Sequence, residues 1–275
     1  MISVLTANFM NQGYSTGGNA PGRSSTNPDA SEGDSSTEPW ITGKAQIMSH
    51  ARAVAAYNKD FQATQGGKIG ISLNGDFYEP WDSQDERDAA AAERRMEFHI
   101  GWFANPIFLK KDYPSVMREQ LGDRLPTFSD ADFAVLRSAD THFYGMNYYT
   151  SQYARHRDTA AEATDYMGNV EELAENKEGV FVGEQSGVHW LRSCPGMFRK
   201  HLARVYRLYG KPIYITENGC PCPGEDAMSC EEAVEDPFRI RYLEKHLDAI
   251  KQAVNEDGAV VSGYFAWSLL DNLGE

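Results

Sequence analysis

Pro212-Ile213-Tyr214-Ile215-Thr216-Glu217-Asn218-Gly219 decides how the rest of the chain is read. The run from Pro212 to Thr216 is short, apolar and β-branched, which suits a strand buried on both faces of a parallel sheet. An acidic residue follows at once. A carboxylate loses hydration where a buried strand ends, so Glu217 reads as a functional residue, a structural ion partner or an exposed loop-end residue. Gly219 then lets the chain turn away. Working outward, Pro195 to Tyr209 and Asp236 to Asn255 carry helical patterns on either side, and Ala259 to Trp267 is a further apolar strand.

The same alternation extends toward the amino terminus. A helical pattern over Pro39 to Phe61 places Ile47, Ala51, Val54 and Ala55 on one face, and Lys68 to Asn74 follows as a strand. A helical stretch from Asp82 to Phe103 leads to Thr141 to Tyr149, a strand by its aromatic content. Residues 13–38, rich in Gly, Ser, Pro and Asp, read as a long irregular loop. Strands alternating with helices imply parallel βα units, with functional groups gathered at the strands' carboxyl ends. Four strands, ending near Asn74, Asn147, Glu217 and Trp267, amount to half of an eight-stranded barrel.

With 275 residues, 41% of them hydrophobic, the chain can bury a sizeable core. A net charge of −14 argues against nucleic acid or an anionic membrane as partner, since both would repel it. No apolar run approaches the about eighteen residues of a membrane span. Met1 to Met10 lacks the basic start of a signal peptide, and no Asn-x-Ser/Thr sequon occurs, which together favour a cytoplasmic location. The seven histidines lack metal-ligand spacing, and Cys194, Cys220, Cys222 and Cys230 lack the paired pattern of a zinc site, so no cofactor or metal is expected. Cys220, Cys222 and Cys230 crowd one Pro/Gly-rich stretch and read as free loop thiols, with a loop disulfide as the alternative.

Asn147 and Tyr149 lie two apart in an extended segment and therefore share a face, able to address one pocket, although a tyrosine there also serves as core. Trp267 precedes Ser268-Leu269-Leu270-Asp271-Asn272 and reads either as a packing residue or as part of the site.

Tyr-Ile-Thr-Glu-Asn-Gly at 214–219, Phe-Tyr-Gly-Met-Asn-Tyr-Tyr-Thr at 143–150 and Gly-Tyr-Phe-Ala-Trp-Ser-Leu-Leu-Asp-Asn at 263–272 together resemble signatures of family 1 glycoside hydrolases, the fungal β-glucosidases in particular. Ala20-Pro21-Gly22-Arg23, Ile69 to Asn74, Trp102 to Ile107, Tyr113-Pro114 and Leu125 to Phe128 add lesser matches in the family's order. The resemblance implies a (β/α)₈ barrel that hydrolyses β-glucosides or related oligosaccharides with retention of configuration. It implies Glu217 as nucleophile, Tyr149 as the phenol that orients it, Asn147 in the same pocket, and Trp267 as a platform under the sugar. Such roles are chemically coherent: attack at the anomeric carbon needs a carboxylate held in place, and an indole face matches the C–H face of a pyranose.

The sequence departs from that pattern in three places. Retaining glycosidases require a second carboxyl about 5–5.5 Å from the first. The family supplies it from an Asn-Glu-Pro motif at the end of strand four, and none occurs here, where Met1-Ile2-Ser3-Val4 precedes the loop instead. At the other end Leu273-Gly274-Glu275 replaces the family's glycone-contacting residues, and Glu275 does not inherit their role. His142 stands where many relatives carry aspartate, an expected loosening of local hydrogen bonds. The chain is thus expected to be one domain, residues 1–275, holding strands five to eight of a barrel truncated at both ends, and inactive or very weak as written. Open sheet edges make self-association an expectation. The alternative is a non-catalytic sugar-binding or scaffold half-barrel.

Overall fold

The computed structural model describes residues 2–4 and 7–268, with side chains described from residue 11 onward. Strands β1 (Ile2–Val4), β2 (Gly70–Asn74), β3 (Phe77–Pro80), β4 (Phe143–Asn147), β5 (Ser151–His156), β6 (Val170–Leu173), β7 (Glu184–Gln185), β8 (Arg192–Ser193), β9 (Ile213–Glu217) and β10 (Val261–Tyr264) form three sheets. The principal one is parallel throughout and runs β1-β2-β4-β9-β10. Its main helices are α1 (Ala7–Tyr14), α2 (Glu38–Asp60), α3 (Glu86–Met96), α4 (Ser115–Leu121), α5 (Asp130–Ser138), α6 (Pro195–Tyr209) and α7 (Pro237–Asn255).

All four expected strands are present in one parallel sheet, and a fifth, Ile2–Val4, pairs with Ile71–Leu73 on its outer side. The sheet is therefore one strand wider than the sequence suggested. The fourth strand ends at Tyr264, three residues before Trp267. The polar excursion after Tyr149 also contains structure: β5 pairs parallel with β3, which follows β2, and β6 adds antiparallel, in a small second sheet beside α3. Leu269 to Glu275, including Asp271, Asn272 and Glu275, lie outside the described residues.

Helix ends follow local chemistry. Asp85 caps α3 by accepting from the Arg87 N–H at 2.8 Å, and Ser129 with Asp132 forms a reciprocal cap on α5. The expected helix from Asp82 to Phe103 is shorter as an α-helix, because past Met96 the backbone loosens into a π-turn over Glu97–Gly101. On α2, Ile47, Ala51 and Val54 are buried as their spacing demands. Gly43 on the same helix is needed by packing, since a Cβ there would strike the Trp102 ring, which lies 4.7 Å from that of Trp40.

The long segment 13–38 is ordered by its hydroxyls. Ser24 and Ser35 donate to the Ser15 carbonyl at 2.5 and 2.6 Å, and Arg23 clamps Glu38 at the start of α2 with two bonds of 2.9 and 2.6 Å. His142 does not loosen its surroundings: its Nδ1 accepts from Ile69 N–H at 3.0 Å, its own N–H donates to the Ile69 carbonyl at 2.8 Å, and Nε2 meets Gln62. A ring nitrogen does the accepting work an aspartate oxygen would do. All four cysteines are free thiols, Cys194 buried in the core.

Candidate active site

Register builds the site. Asn74 of β2 lies opposite Asn147 of β4, and Asn147 lies opposite Glu217 of β9, so three polar side chains stand in a row at the carboxyl edge of the sheet. Continuous pairing would have put Thr216 opposite Asn147. Instead the register slips by one between Met146 and Asn147, and the irregularity brings Glu217 into line. One extra residue reverses which side of the pleat a side chain takes, a common device next to active sites.

The displaced Thr216 is used: its hydroxyl donates to Asn147 Oδ1 at 2.5 Å, which orients that amide. Asn147 is buried, and its Nδ2 has no partner among the described residues. Tyr149, two residues past the end of β4, donates its phenol hydroxyl to Glu217 Oε2 at 2.6 Å. That short separation is characteristic of an O–H donor on a charged acceptor. The structure thus brings Glu217, Tyr149 and Asn147 together.

Trp267 reaches the same place by backbone: its N–H donates to the Asn218 carbonyl at 2.9 Å, one residue from Glu217, while its side chain is 44% exposed. An indole so exposed is free to offer a face rather than fill a core. Gly219 serves this approach more than it serves a turn. Its φ is outside the left-handed region, and a Cβ there would collide with the Trp267 carbonyl.

Sequence reasoning missed several neighbours. Trp190, half-exposed, sets its ring edge-to-face with Tyr149 at 6.3 Å. Asn218, fully buried, donates through Nδ2 to the Tyr148 carbonyl at 2.8 Å and the Tyr242 hydroxyl at 2.9 Å, and accepts from the Tyr264 hydroxyl at 2.9 Å. Asp76, two residues past Asn74, has its carboxyl pushed up to about 7 by desolvation and Glu172; Arg95 and the Thr150 backbone N–H act the other way. A polar residue just after a strand end is the signal that would have marked Asp76. Trp190 and Tyr242 carry no such signal, because loop and helix bring them in from a distance.

Beneath the row, Tyr148 stacks on Phe198 at 4.4 Å, with His201 and His246 against the same rings. Burial lowers His246 to about 4 and His201 to about 3, so this layer is neutral near pH 7. Among the described residues no group of three or more His, Cys, Asp or Glu is placed to hold a metal ion.

The chain matches the model of glycosyl hydrolase family 1 over residues 6–275. It is 44% identical over 260 residues to β-glucosidase 1B of Phanerodontia chrysosporium, covering 94% of this chain and 47% of that protein. To β-glucosidase 11 of rice it is 41% identical over 270 residues, covering 96% of this chain and 50% of the relative. Among solved structures, a family 1 β-glucosidase from the fungus Humicola insolens in complex with glucose superposes with a TM-score of 0.95 at 45% identity, over 99% of this chain and 57% of that one. The β-glucosidase 2 structure from Trichoderma reesei gives 0.91 at 45%, over 99% and 57%. The chain therefore spans about half the length of the relatives it matches. Over that span it belongs to glycosyl hydrolase family 1.

Proposed function

We propose that this chain contributes the nucleophile side of a retaining β-glucosidase site built on a (β/α)₈ barrel, of which its parallel sheet is a part. The observation that carries this is the 2.6 Å bond from Tyr149 to Glu217 at the carboxyl end of the sheet. Glu217 attacks the anomeric carbon of a β-glucoside as the aglycone departs, forming a glycosyl ester that water later hydrolyses. Tyr149 holds the attacking oxygen in line. The Nδ2 of Asn147, without a partner among the described residues, supplies a buried donor suited to a sugar oxygen, and the exposed Trp267 offers a stacking face.

The 275 residues contain no Asn-Glu-Pro and hence no acid/base carboxyl of the family's kind. Alone, they are expected to leave natural glucosides such as cellobiose almost untouched, because an alkoxide departs poorly without a proton. No cofactor is required. The edges β1 and β10, with exposed Ile240, Leu247 and Val254 along α7, provide surfaces for self-association or for further strands of a barrel.

The test is trapping with 2,4-dinitrophenyl 2-deoxy-2-fluoro-β-glucoside, whose leaving group needs no acid. Peptide mass spectrometry should find the fluoroglucosyl adduct on Glu217, lost in Glu217→Gln. An adduct elsewhere removes the assignment. Glucose-dependent quenching of tryptophan fluorescence without any adduct would favour a sugar-binding protein instead.

A further inference from the structure

We infer that Tyr242, on α7, is a positioning residue for the Tyr149–Glu217 pair, an assignment that rests on Glu217 being the nucleophile. Tyr149 lies in no strand: β4 ends at Asn147, β5 starts at Ser151 in a different sheet, and the last ladder-like bond on the β4 side is the donation from Tyr148 N–H to the Glu217 carbonyl at 3.0 Å. The phenol that touches Glu217 is thus carried one residue beyond that last ladder bond, where the Tyr149 peptide needs a further hold.

Tyr242 provides that hold. Its hydroxyl donates to the Tyr149 carbonyl at 3.3 Å and accepts from Asn218 Nδ2 at 2.9 Å, and the same amide donates to the Tyr148 carbonyl. One phenol oxygen therefore joins the segment bearing Tyr149 to the residue that follows Glu217. Each group in the network is used once in each of its capacities. Both Asn218 amide hydrogens are donated, its oxygen accepts from Tyr264, and the Tyr242 hydroxyl both donates and accepts.

The Tyr242 ring is itself fixed. It is 2% exposed and stacks on His246 with centroids 3.9 Å apart, while His246 Nδ1 donates back to the Tyr242 carbonyl at 2.8 Å. With one ring nitrogen so engaged and burial keeping the histidine neutral, the stack has a single arrangement. Satisfying a buried asparagine would explain only the Asn218 bond. The bond to the Tyr149 carbonyl is the part that sets where the neighbouring phenol stands.

Tyr242→Phe deletes the hydroxyl and keeps the ring. Peptide hydrogen exchange should show the amides of 148–150 opening faster than in the unaltered chain, with the melting temperature nearly unchanged. Trapping of Glu217 by the dinitrophenyl fluoroglucoside should slow about three- to tenfold, in the limiting rate rather than in reagent affinity. Tyr209→Phe, which loses a comparable bond to Asn105 far from the site, is the control and should leave both readouts alone. Unchanged exchange at 148–150 in Tyr242→Phe overturns the inference whatever the trapping shows. Faster exchange with no trapping of Glu217 even in the unaltered chain keeps the clamp and removes the nucleophile. Equal effects from both variants would reduce Tyr242 to general packing and also overturn it.

Discussion

Replacing Tyr149 by Phe removes one oxygen and isolates one bond, the 2.6 Å donation to Glu217 Oε2. Hydrogen bonds to charged groups contribute about 1.5–3 kcal/mol net, which at about 1.4 kcal/mol per decade would be roughly 10- to 150-fold in rate. Two features of the site pull the effect toward the lower end. Glu217 is only partly buried, so water replaces some of the lost donation. As the proposed nucleophile, its carboxylate would also give up charge to the sugar as the bond forms, so the phenol's grip would weaken along the reaction and its main contribution would be orientation. The expected result is about a 10- to 30-fold fall in the rate of fluoroglucoside trapping, concentrated in the limiting rate constant, with affinity for the reagent retained. Because the bond lies at an open strand end, the melting temperature should stay within about 2 °C. A trapping rate within threefold of the unaltered chain would refute the orienting role.

Other perturbations separate the site from its support. Asn218→Asp removes the donors to Tyr148 and Tyr242 and buries a carboxylate where nothing is exposed; a loss of about 3 kcal/mol, or roughly 6–12 °C in melting temperature, is expected, and a shift below about 2 °C would contradict the network. Arg95 pairs with Glu172 at 2.5 Å while almost fully buried, so Arg95→Met should cost about 3–5 kcal/mol in urea unfolding, and adding Glu172→Leu should restore most of it; a near-neutral single variant refutes this. His50 and His246, lowered to about 4, and His201, to about 3, stay neutral when folded, so stability present above pH 6.5 is lost as pH falls toward those values, at about 1.4 kcal/mol per pH unit for each. Asp76, raised to about 7, acts oppositely, its contribution present at low pH and lost as pH rises through 7, but three histidines outweigh one carboxyl between pH 5 and 6; a urea midpoint flat from pH 7 to 5 would refute the balance.

What could be read in advance was whatever depends on local periodicity. The helix over Pro195–Tyr209 and the strands ending at Asn74, Asn147 and Glu217 follow from apolar spacing and from Pro and Gly boundaries, and the structure places them accordingly. Ile2–Val4 escaped because three residues make no pattern, and β3, β5 and β6 escaped because their mixed polar and charged composition, half-buried in the structure, makes them look like polar loop. In the site, Glu217 stood out as an acid at a strand end and Asn147 with Tyr149 as neighbours on one face, while the link from Tyr149 to Glu217 followed from the family resemblance. The slip in register that aligns Glu217 with Asn147 did not, since pairing between distant strands is a tertiary fact with no local signature. Tyr242 was invisible for the same reason: on α7 it is one more apolar-face residue until packing brings its hydroxyl under Tyr149.

Among the described residues, the bonds that hold the Tyr149–Glu217 pair come from one strand pairing and one buried side-chain network. Strand register aligns Glu217 with Asn147, Tyr149 donates to its carboxylate, and Asn218 and Tyr242 bond to the segments that carry both. Proton donation to the departing aglycone is a separate requirement, met in retaining enzymes by another carboxyl. The two demands can therefore be varied independently through the leaving group. On the proposed reading, formation of the glycosyl ester with dinitrophenolate as leaving group, which needs no proton, would depend on the Glu217 side alone. With progressively more basic phenols the barrier comes to depend on the missing proton, so the trapping rate should fall steeply with leaving-group basicity. A rate independent of leaving group across that series would mean that a proton donor already operates within residues 1–275, and Asp76, whose carboxyl holds its proton up to about 7 beside the row of strand ends, would then be the first residue to replace.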